Sequence, residues 1–305
     1  MILSEMSRQL TELVQKAGEL TVAVNARRRL TSSGILWGGD LVVTAAHTIK
    51  RDQGLTVFVP DGRELPASLA ARDPGRDLAL LKVEGLEAPA PQLAEPPVVG
   101  QLVLAVGRSP VDGLGSSLGI LSEHGGPWRT FAGSRLERHL QPDLRLYPGY
   151  SGGPLVDAEG RLLGLNTDAL TRVGVVTIDA GTIRELVESW QKGARIGRAY
   201  LGLAMHSVRL PDKLQAPGGA LVLHVEPEGP GDRAGLLPGD ILTSLGGQAT
   251  EGLEELLARL GDVSPGDSVT LGILRGGEPR EVTLEAGLRP GPVEVLREVY
   301  KDSGC

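Results

Sequence analysis

From Thr21 to Asp179 the chain is a succession of short apolar runs, each closed by residues that interrupt regular structure. Leu55-Thr56-Val57-Phe58-Val59 ends at Pro60-Asp61-Gly62, and Gln101-Leu102-Val103-Leu104-Ala105-Val106 ends at Gly107. Arg161-Leu162-Leu163-Gly164-Leu165 and Val173-Gly174-Val175-Val176-Thr177-Ile178 follow the same plan. Runs of this length between turn formers predict the strands of an all-β sandwich or barrel. At 59–62 the turn has a mechanism, since proline presets φ and glycine permits positive φ. With 43 Gly and 21 Pro in 305 residues, turns are favoured over long helices throughout. Only three Trp, four Tyr and two Phe are present, so the core must be aliphatic.

Helical patterns are few. Met1 to Leu20 sets Glu5, Arg8, Glu12 and Lys16 against Leu10 and Leu13, which predicts an amphipathic helix. Thr182 to Trp190 reads as a second helix ending near Gly193, with Thr182 as N-cap and Glu185 at capping-box spacing. A third, Glu251 to Leu260, places Leu253, Leu256, Leu257 and Leu260 on one face. The expected organisation is an N-terminal helix over 1–20, a β domain over 21–182, and a helix and linker over 183–198. A second β-rich domain over 199–288 and a tail over 289–305 complete it, the tail with a short helical pattern from Val293 to Tyr300. Gly113-Leu114-Gly115 reads as a flexible loop.

A net charge of −7 without a basic stripe interleaved with aromatics excludes a nucleic-acid surface. Arg27-Arg28-Arg29, the one basic run, reads as a solvated loop. The single cysteine, Cys305, excludes an internal disulfide. No apolar stretch reaches the ~18 residues of a membrane span. The N-terminal segment lacks the continuous apolar centre of a secretory signal. As written the chain therefore reads as cytoplasmic, and as periplasmic or extracytoplasmic if a leader has been trimmed. Neither ligand-spaced Cys/His clusters nor a phosphate loop appears, so no metal and no organic cofactor is expected.

Three segments carry chemistry. Gly149-Tyr150-Ser151-Gly152-Gly153-Pro154-Leu155 sets a serine between glycines. Val42-Val43-Thr44-Ala45-Ala46-His47 ends an apolar strand in a histidine, and Arg76-Asp77-Leu78-Ala79-Leu80-Leu81 puts a carboxylate at the head of another. A serine hydroxyl is a weak nucleophile until a base reaches it, and the base needs an orienting carboxylate; Ser151, His47 and Asp77 are those three parts. The remaining histidines, His124, His139, His206 and His224, lack such context and read as structural or solvated. Gly149-x-Ser151-x-Gly153 also fits the nucleophile elbow of α/β-hydrolases, which requires strand–turn–helix with acid and histidine downstream. Here Pro154-Leu155-Val156 leads into a strand and an Asp157-Ala158-Glu159-Gly160 turn.

Leu41 to His47, Arg76 to Val83 and Pro148 to Leu155 resemble the histidine, aspartate and nucleophile segments of trypsin-like serine proteases of the HtrA/Deg family. The resemblance implies a mainly β protein, with two six-stranded barrels and the triad in the cleft between them. It implies that Ser151 attacks, His47 moves the proton, Asp77 fixes the imidazole, and the amides of Gly149 and Ser151 form the oxyanion hole. Tyr150 departs from the family's usual asparagine, which puts the loop's resting conformation and access to the cleft in question. Leu165-Asn166-Thr167-Asp168 and Gly174-Val175-Val176 should line a primary pocket for small or medium aliphatic side chains. Within it Asp168 reads either as a selector of basic side chains or as a solvated turn carboxylate. Gly115 to Ser122 resembles the strand leading to a regulatory loop, His124 to His139.

The second domain resembles a PDZ domain, a smaller α+β unit. Tyr200-Leu201-Gly202-Leu203 matches its carboxylate-binding loop, supported by Ala220 to Val225 and by Gly229 to Leu242. A peptide ending in an apolar residue would add as a strand along Leu203 to Val208, walled by the Leu253–Leu260 helix. The function implied is ATP-independent endoproteolysis of unfolded or exposed polypeptide in protein quality control, with recognition of peptide C-termini. A catalytically silent peptide-binding scaffold is the other reading. Family trimers assemble through an N-terminal segment bearing aromatics; residues 1–36 hold none, which leaves homotrimer and monomer both open.

Overall fold

Short strands separated by tight turns close on themselves twice in the first part of this chain. The computed structural model describes residues 2–27, 30–130, 134–171, 174–194, 196–197, 199–211 and 218–288, and the chain divides after Ala194 into two units. An N-terminal helix, α1 (Ile2–Glu19), precedes a first barrel of β1 (Thr21–Asn25), β2 (Ser32–Gly38), β3 (Leu41–Ala45), β4 (Leu55–Phe58), β5 (Glu64–Asp73) and β6 (Leu78–Val83). Its strands are antiparallel and close in the order β1-β2-β3-β6-β5-β4. Alternate residues of each strand point inward, so that Val22, Val24, Val42, Leu55, Val57, Leu81 and Val83 fill an aliphatic core.

The second barrel takes β7 (Leu102–Ser109), β8 (Gly113–Gly125), β11 (His139–Asp143), β12 (Pro154–Val156), β13 (Leu162–Thr167) and β14 (Val176–Asp179), closed as β11-β14-β13-β12-β7-β8. A small hairpin, β9 (Trp128–Arg129) with β10 (Arg135–Leu136), stands in the segment between β8 and β11. Val103, Ala105, Leu121, Leu140, Leu155 and Leu163 pack the interior of the second barrel. Gly113-Leu114-Gly115 is not a loop: it opens β8, paired with Ser109, Arg108 and Gly107 of β7. Pro154–Val156 is a strand and not a helix, which removes the nucleophile-elbow alternative.

Helix α1 lays Leu13, Val14 and Ala17 on Leu104, Val106 and Val156 of the second barrel. Its carbonyl end is closed by Arg108, whose guanidinium donates to Gly18 O at 2.8 Å and Thr21 O at 2.6 Å; a cation there also meets the negative end of the helix dipole. Helix α2 (Ala180–Gln191) starts two residues before the expected Thr182. Its N-cap is Asp179, whose carboxylate accepts from the Thr182 amide at 3.2 Å and hydroxyl at 2.6 Å. A carboxylate leaving β14 is the stronger acceptor, so Thr182 is drawn into the first turn as a donor.

The second unit contains β15 (Ala199–Tyr200), β16 (Leu203–Arg209), β17 (Gly218–Val225), a one-turn α3 (Pro230–Arg233), β18 (Ile241–Leu245), β19 (Gln248–Ala249), α4 (Leu253–Leu260), β20 (Ser268–Arg275), β21 (Glu278–Glu285) and β22 (Gly287–Leu288). The sheet order is β16-β17-β18-β20-β21, with β19 beside β18 and β15 paired to β22. Helix α4 begins at Leu253 and not at Glu251, after Gly252 with its extended φ of 178°. It buries Leu256 and Leu260 against Leu242, Leu245 and Leu271, whereas Leu257 is 39% exposed and leaves the apolar face on which it was expected. Arg28, Arg29, Val173 and the expected Val293–Tyr300 helix lie outside the described residues.

Asp240, 1% exposed, ties this unit together. It accepts from Arg275 Nε at 2.8 Å and Nη2 at 2.7 Å, and from the Leu237 amide at 2.8 Å. The Arg275 hydrogen bonds hold its carboxyl below the usual aspartate range. A depressed carboxylate stabilises the fold above its unfolded pKa of about 3.9 and loses that contribution as pH falls through the lower folded value. Asp240→Asn should therefore destabilise the second unit by about 1–3 kcal/mol at pH 7. Denaturant titrations should show the gap between the two proteins closing below about pH 4.

Candidate active site

The histidine reaches the cleft because β3 ends in a single turn of tight helix, Ala46–Thr48, that lifts His47 out of the barrel wall. Asp77 stands opposite, at the head of β6, with φ at +56°, a left-handed conformation that aspartate tolerates better than most residues. That bend aims backbone and side chain at the same turn. Asp77 O accepts from the Ala46 amide at 3.1 Å, and its Oδ1 accepts from the His47 amide at 2.7 Å. Its Oδ2 lies 2.8 Å from His47 Nδ1 and 2.5 Å from the donating Thr167 hydroxyl. Asp77 is 3% exposed, so these partners replace its water. A carboxylate at Nδ1 keeps the proton there and leaves Nε2 facing the cleft. Thr167, expected only as a pocket wall, is thus the second barrel's hold on Asp77.

Ser151 sits on a loop tied to both barrels. Tyr150 N donates to Tyr147 O at 3.0 Å and Gly153 N to Tyr150 O at 2.8 Å, giving two successive turns. Gly149 and Gly152 take φ values of 92° and 91°, and a side chain at Gly152 would strike Ser33 O and Thr44 Oγ1 of the first barrel. Ser33 pins the loop's carbonyls: its hydroxyl donates to Gly149 O at 2.8 Å and its amide to Ser151 O at 3.2 Å. Among the described residues the amides of Gly149 and Ser151 donate to no acceptor. Two such N–H groups beside a nucleophile can receive a developing oxyanion.

Tyr150 does not lie free over the loop. Its half-buried ring rests on Gly107 of β7 and Gly115 of β8, where any Cβ would collide with it, and its centroid is 5.5 Å from that of Tyr147. Burial raises its phenol pKa. The aromatic ring is an anchor into the second barrel, and Gly107 and Gly115 are the seat it needs.

Asp168 is the unexpected member. It is 63% exposed at the side chain, yet its Oδ1 accepts from Ser151 Oγ at 3.0 Å and lies 3.5 Å from His47 Nε2. Among the described residues no hydrogen bond joins Ser151 to His47. Of the other histidines, His139 makes an edge contact with Trp128 at 5.1 Å, and His206 and His224 stand on the paired strands β16 and β17.

In the second unit β16 is an edge strand, with α4 against it through the Leu253 amide, which donates to Ser207 Oγ at 2.9 Å. The Tyr200–Leu203 segment leads into that strand. The carbonyls of Leu201 and Gly202 are engaged by the amides of Gly231 at 2.8 Å and Glu226 at 2.9 Å.

Residues 32–165 match the family model of a trypsin-like peptidase domain, and residues 199–286 that of a PDZ domain. A probable periplasmic serine endoprotease, DegP-like, of Halomonas elongata is 34% identical over 276 residues, 86% of this chain and 57% of that protein. The chain belongs to the HtrA/Deg family. A DegP-like relative from Rhizobium meliloti is 31% identical over 297 residues, covering 91% of this chain and 58% of its own length. The chain thus spans somewhat more than half the length of these relatives. Among solved structures, a serine endoprotease from Yersinia pestis superposes with a TM-score of 0.66 at 26% identity, covering 92% of this chain and 98% of that one. The HtrA-type protease AlgW with a decapeptide gives 0.65 at 26% identity, covering 92% and 99%.

Within this HtrA/Deg site the Tyr150 anchor is open to test. Gly115→Ala should cost about 1–3 kcal/mol through overpacking against the ring. In a Tyr150→Ala background most of that cost should vanish, a coupling readable in a double-mutant cycle of chemical denaturation.

Proposed function

We propose that this chain is an ATP-independent serine endopeptidase with His47, Asp77 and Ser151 as its triad. The observation that supports it most is the Asp77 carboxylate 2.8 Å from His47 Nδ1, in the same cleft as a serine flanked by two unengaged amides. In this reading Ser151 Oγ attacks the scissile carbonyl, and His47 takes its proton and returns it to the leaving amine. Asp77 holds the imidazole's tautomer and stabilises the imidazolium. The Gly149 and Ser151 amides receive the carbonyl oxygen as it becomes anionic, a contribution of about 10²–10³ in rate per donor. The silent-scaffold reading loses its main support, because Tyr150 packs onto Gly107 and Gly115.

The second unit would recruit polypeptide C-termini. An unpaired edge at β16 beside α4 suits addition of a peptide strand, with the Tyr200, Leu201, Gly202 and Leu203 segment holding the terminal carboxylate. An HtrA-type relative has been solved with a decapeptide, which supports peptide binding by this family. The substrates proposed are unfolded or exposed polypeptide segments, in protein quality control. Relatives described as periplasmic support an extracytoplasmic place of action and lend nothing to a cytoplasmic one.

Ser151→Ala should lower casein cleavage by about 10⁴-fold or more while leaving the thermal transition in place. A fluorophosphonate should acylate the parent protein and not the variant; equal cleavage by both would sink the triad assignment. In the Ser151→Ala chain, a fluorescent peptide ending in Val or Leu should bind saturably with a Kd on the order of micromolar. The same peptide amidated at its C-terminus should bind far more weakly.

A further inference from the structure

Ser151 does not donate to the base that should activate it. Its hydroxyl is bonded to Asp168 Oδ1 at 3.0 Å, and that oxygen stands 3.5 Å from His47 Nε2. Asp168 directly follows β13, the strand whose last residue, Thr167, holds Asp77. Its backbone is therefore placed by the core of the site, while its carboxylate, 63% exposed, opens on the cleft. Among the described residues no lysine or arginine pairs with it.

A carboxylate in this position opposes acylation in two ways. It takes the hydrogen bond that His47 Nε2 must receive before the serine's proton can move. It also puts a negative charge beside the atoms where the tetrahedral anion forms, in a site whose free amides favour that anion. Either the carboxylate swings away when substrate binds or a positive charge joins it. A lysine or arginine side chain of the substrate does both: ion pairing draws the oxygen off Ser151 and cancels its charge. A guanidinium does so best, since its planar fork matches both carboxylate oxygens. An aliphatic side chain offers Asp168 no partner.

We propose that Asp168 is a specificity-determining residue that selects polypeptides carrying lysine or arginine within two residues on the acyl side of the scissile bond. Its contact biases Ser151 toward a resting arrangement that such a cation relieves. The inference rests on the endopeptidase reading and deepens it by naming a substrate class.

Internally quenched peptides that differ only at the two acyl-side positions test it on the full chain. Arg and Lys peptides should exceed their Val and Leu counterparts by at least ~10-fold in kcat/KM. Asp168→Asn should shrink that ratio to within about 3-fold, and Asp168→Lys should turn the preference toward Glu. For the Val peptide, Asp168→Asn should raise kcat, because the resting contact is weakened. The proposal is overturned if Val or Leu peptides are preferred by the parent, if Asp168→Asn leaves a basic preference intact, or if kcat for the Val peptide falls. Fluorophosphonate labelling separates the two levels. Labelling of parent and Asp168→Asn without any basic preference removes the role of Asp168 alone. Absence of both labelling and hydrolysis in the parent removes the endopeptidase reading and this inference with it.

Discussion

Everything in the cleft hangs on one buried carboxylate. Asp77 is turned into the left-handed region so that its carbonyl and both side-chain oxygens meet donors, three from the Ala46–His47 turn and one from Thr167. The turn belongs to the first barrel and Thr167 to the second. Asp77 therefore does more than orient an imidazole: it sets where the barrels meet at the level of the reacting atoms. A buried anion with fewer partners would carry a desolvation cost. The three donors on the Asp77 carboxylate offset that cost and leave it one arrangement.

The nucleophile loop depends on that same junction. Its carbonyls are held by Ser33 of the first barrel, and its Tyr150 ring is seated on two glycines of the second. With the carbonyls of Gly149 and Ser151 drawn to Ser33, their amides are left for a ligand. Preorganised donors of this kind cost no rearrangement at the moment of reaction. The loop is set, but the serine's proton points to Asp168. Scaffold and proton thus represent two separable levels of readiness in one site.

Much of this was legible in the residues. His47, Asp77 and Ser151 each sit in a distinctive local context, a strand end or a glycine turn, and local context is what a linear reading resolves. The β architecture of the first unit followed from short apolar runs closed by turn formers, while its division into two barrels came from the family resemblance. Other features were not legible, because their partners are far away in sequence. Thr167 and Ser33 act through hydrogen bonds to residues 90 and 116 positions distant. Gly115 carries no mark that separates a loop from a strand until the Tyr150 ring needs room against it. At α2 the cap was displaced because two acceptors competed for one helix start, and the carboxylate of Asp179 outranked the hydroxyl of Thr182.

Sequence alone determined most of the strands and helices and the aliphatic character of the cores, and it singled out Ser151, His47 and Asp77 as a candidate set, since propensity, patterning and motif spacing are local properties of a chain. Only the tertiary structure decided what surrounds those groups. Thr167 locks Asp77, Tyr150 is an anchor and not a lid, and Asp168 stands between Ser151 and His47. Barrel closure brings such side chains within hydrogen-bond reach, and at that range burial, charge and geometry outweigh anything their neighbours in sequence could indicate.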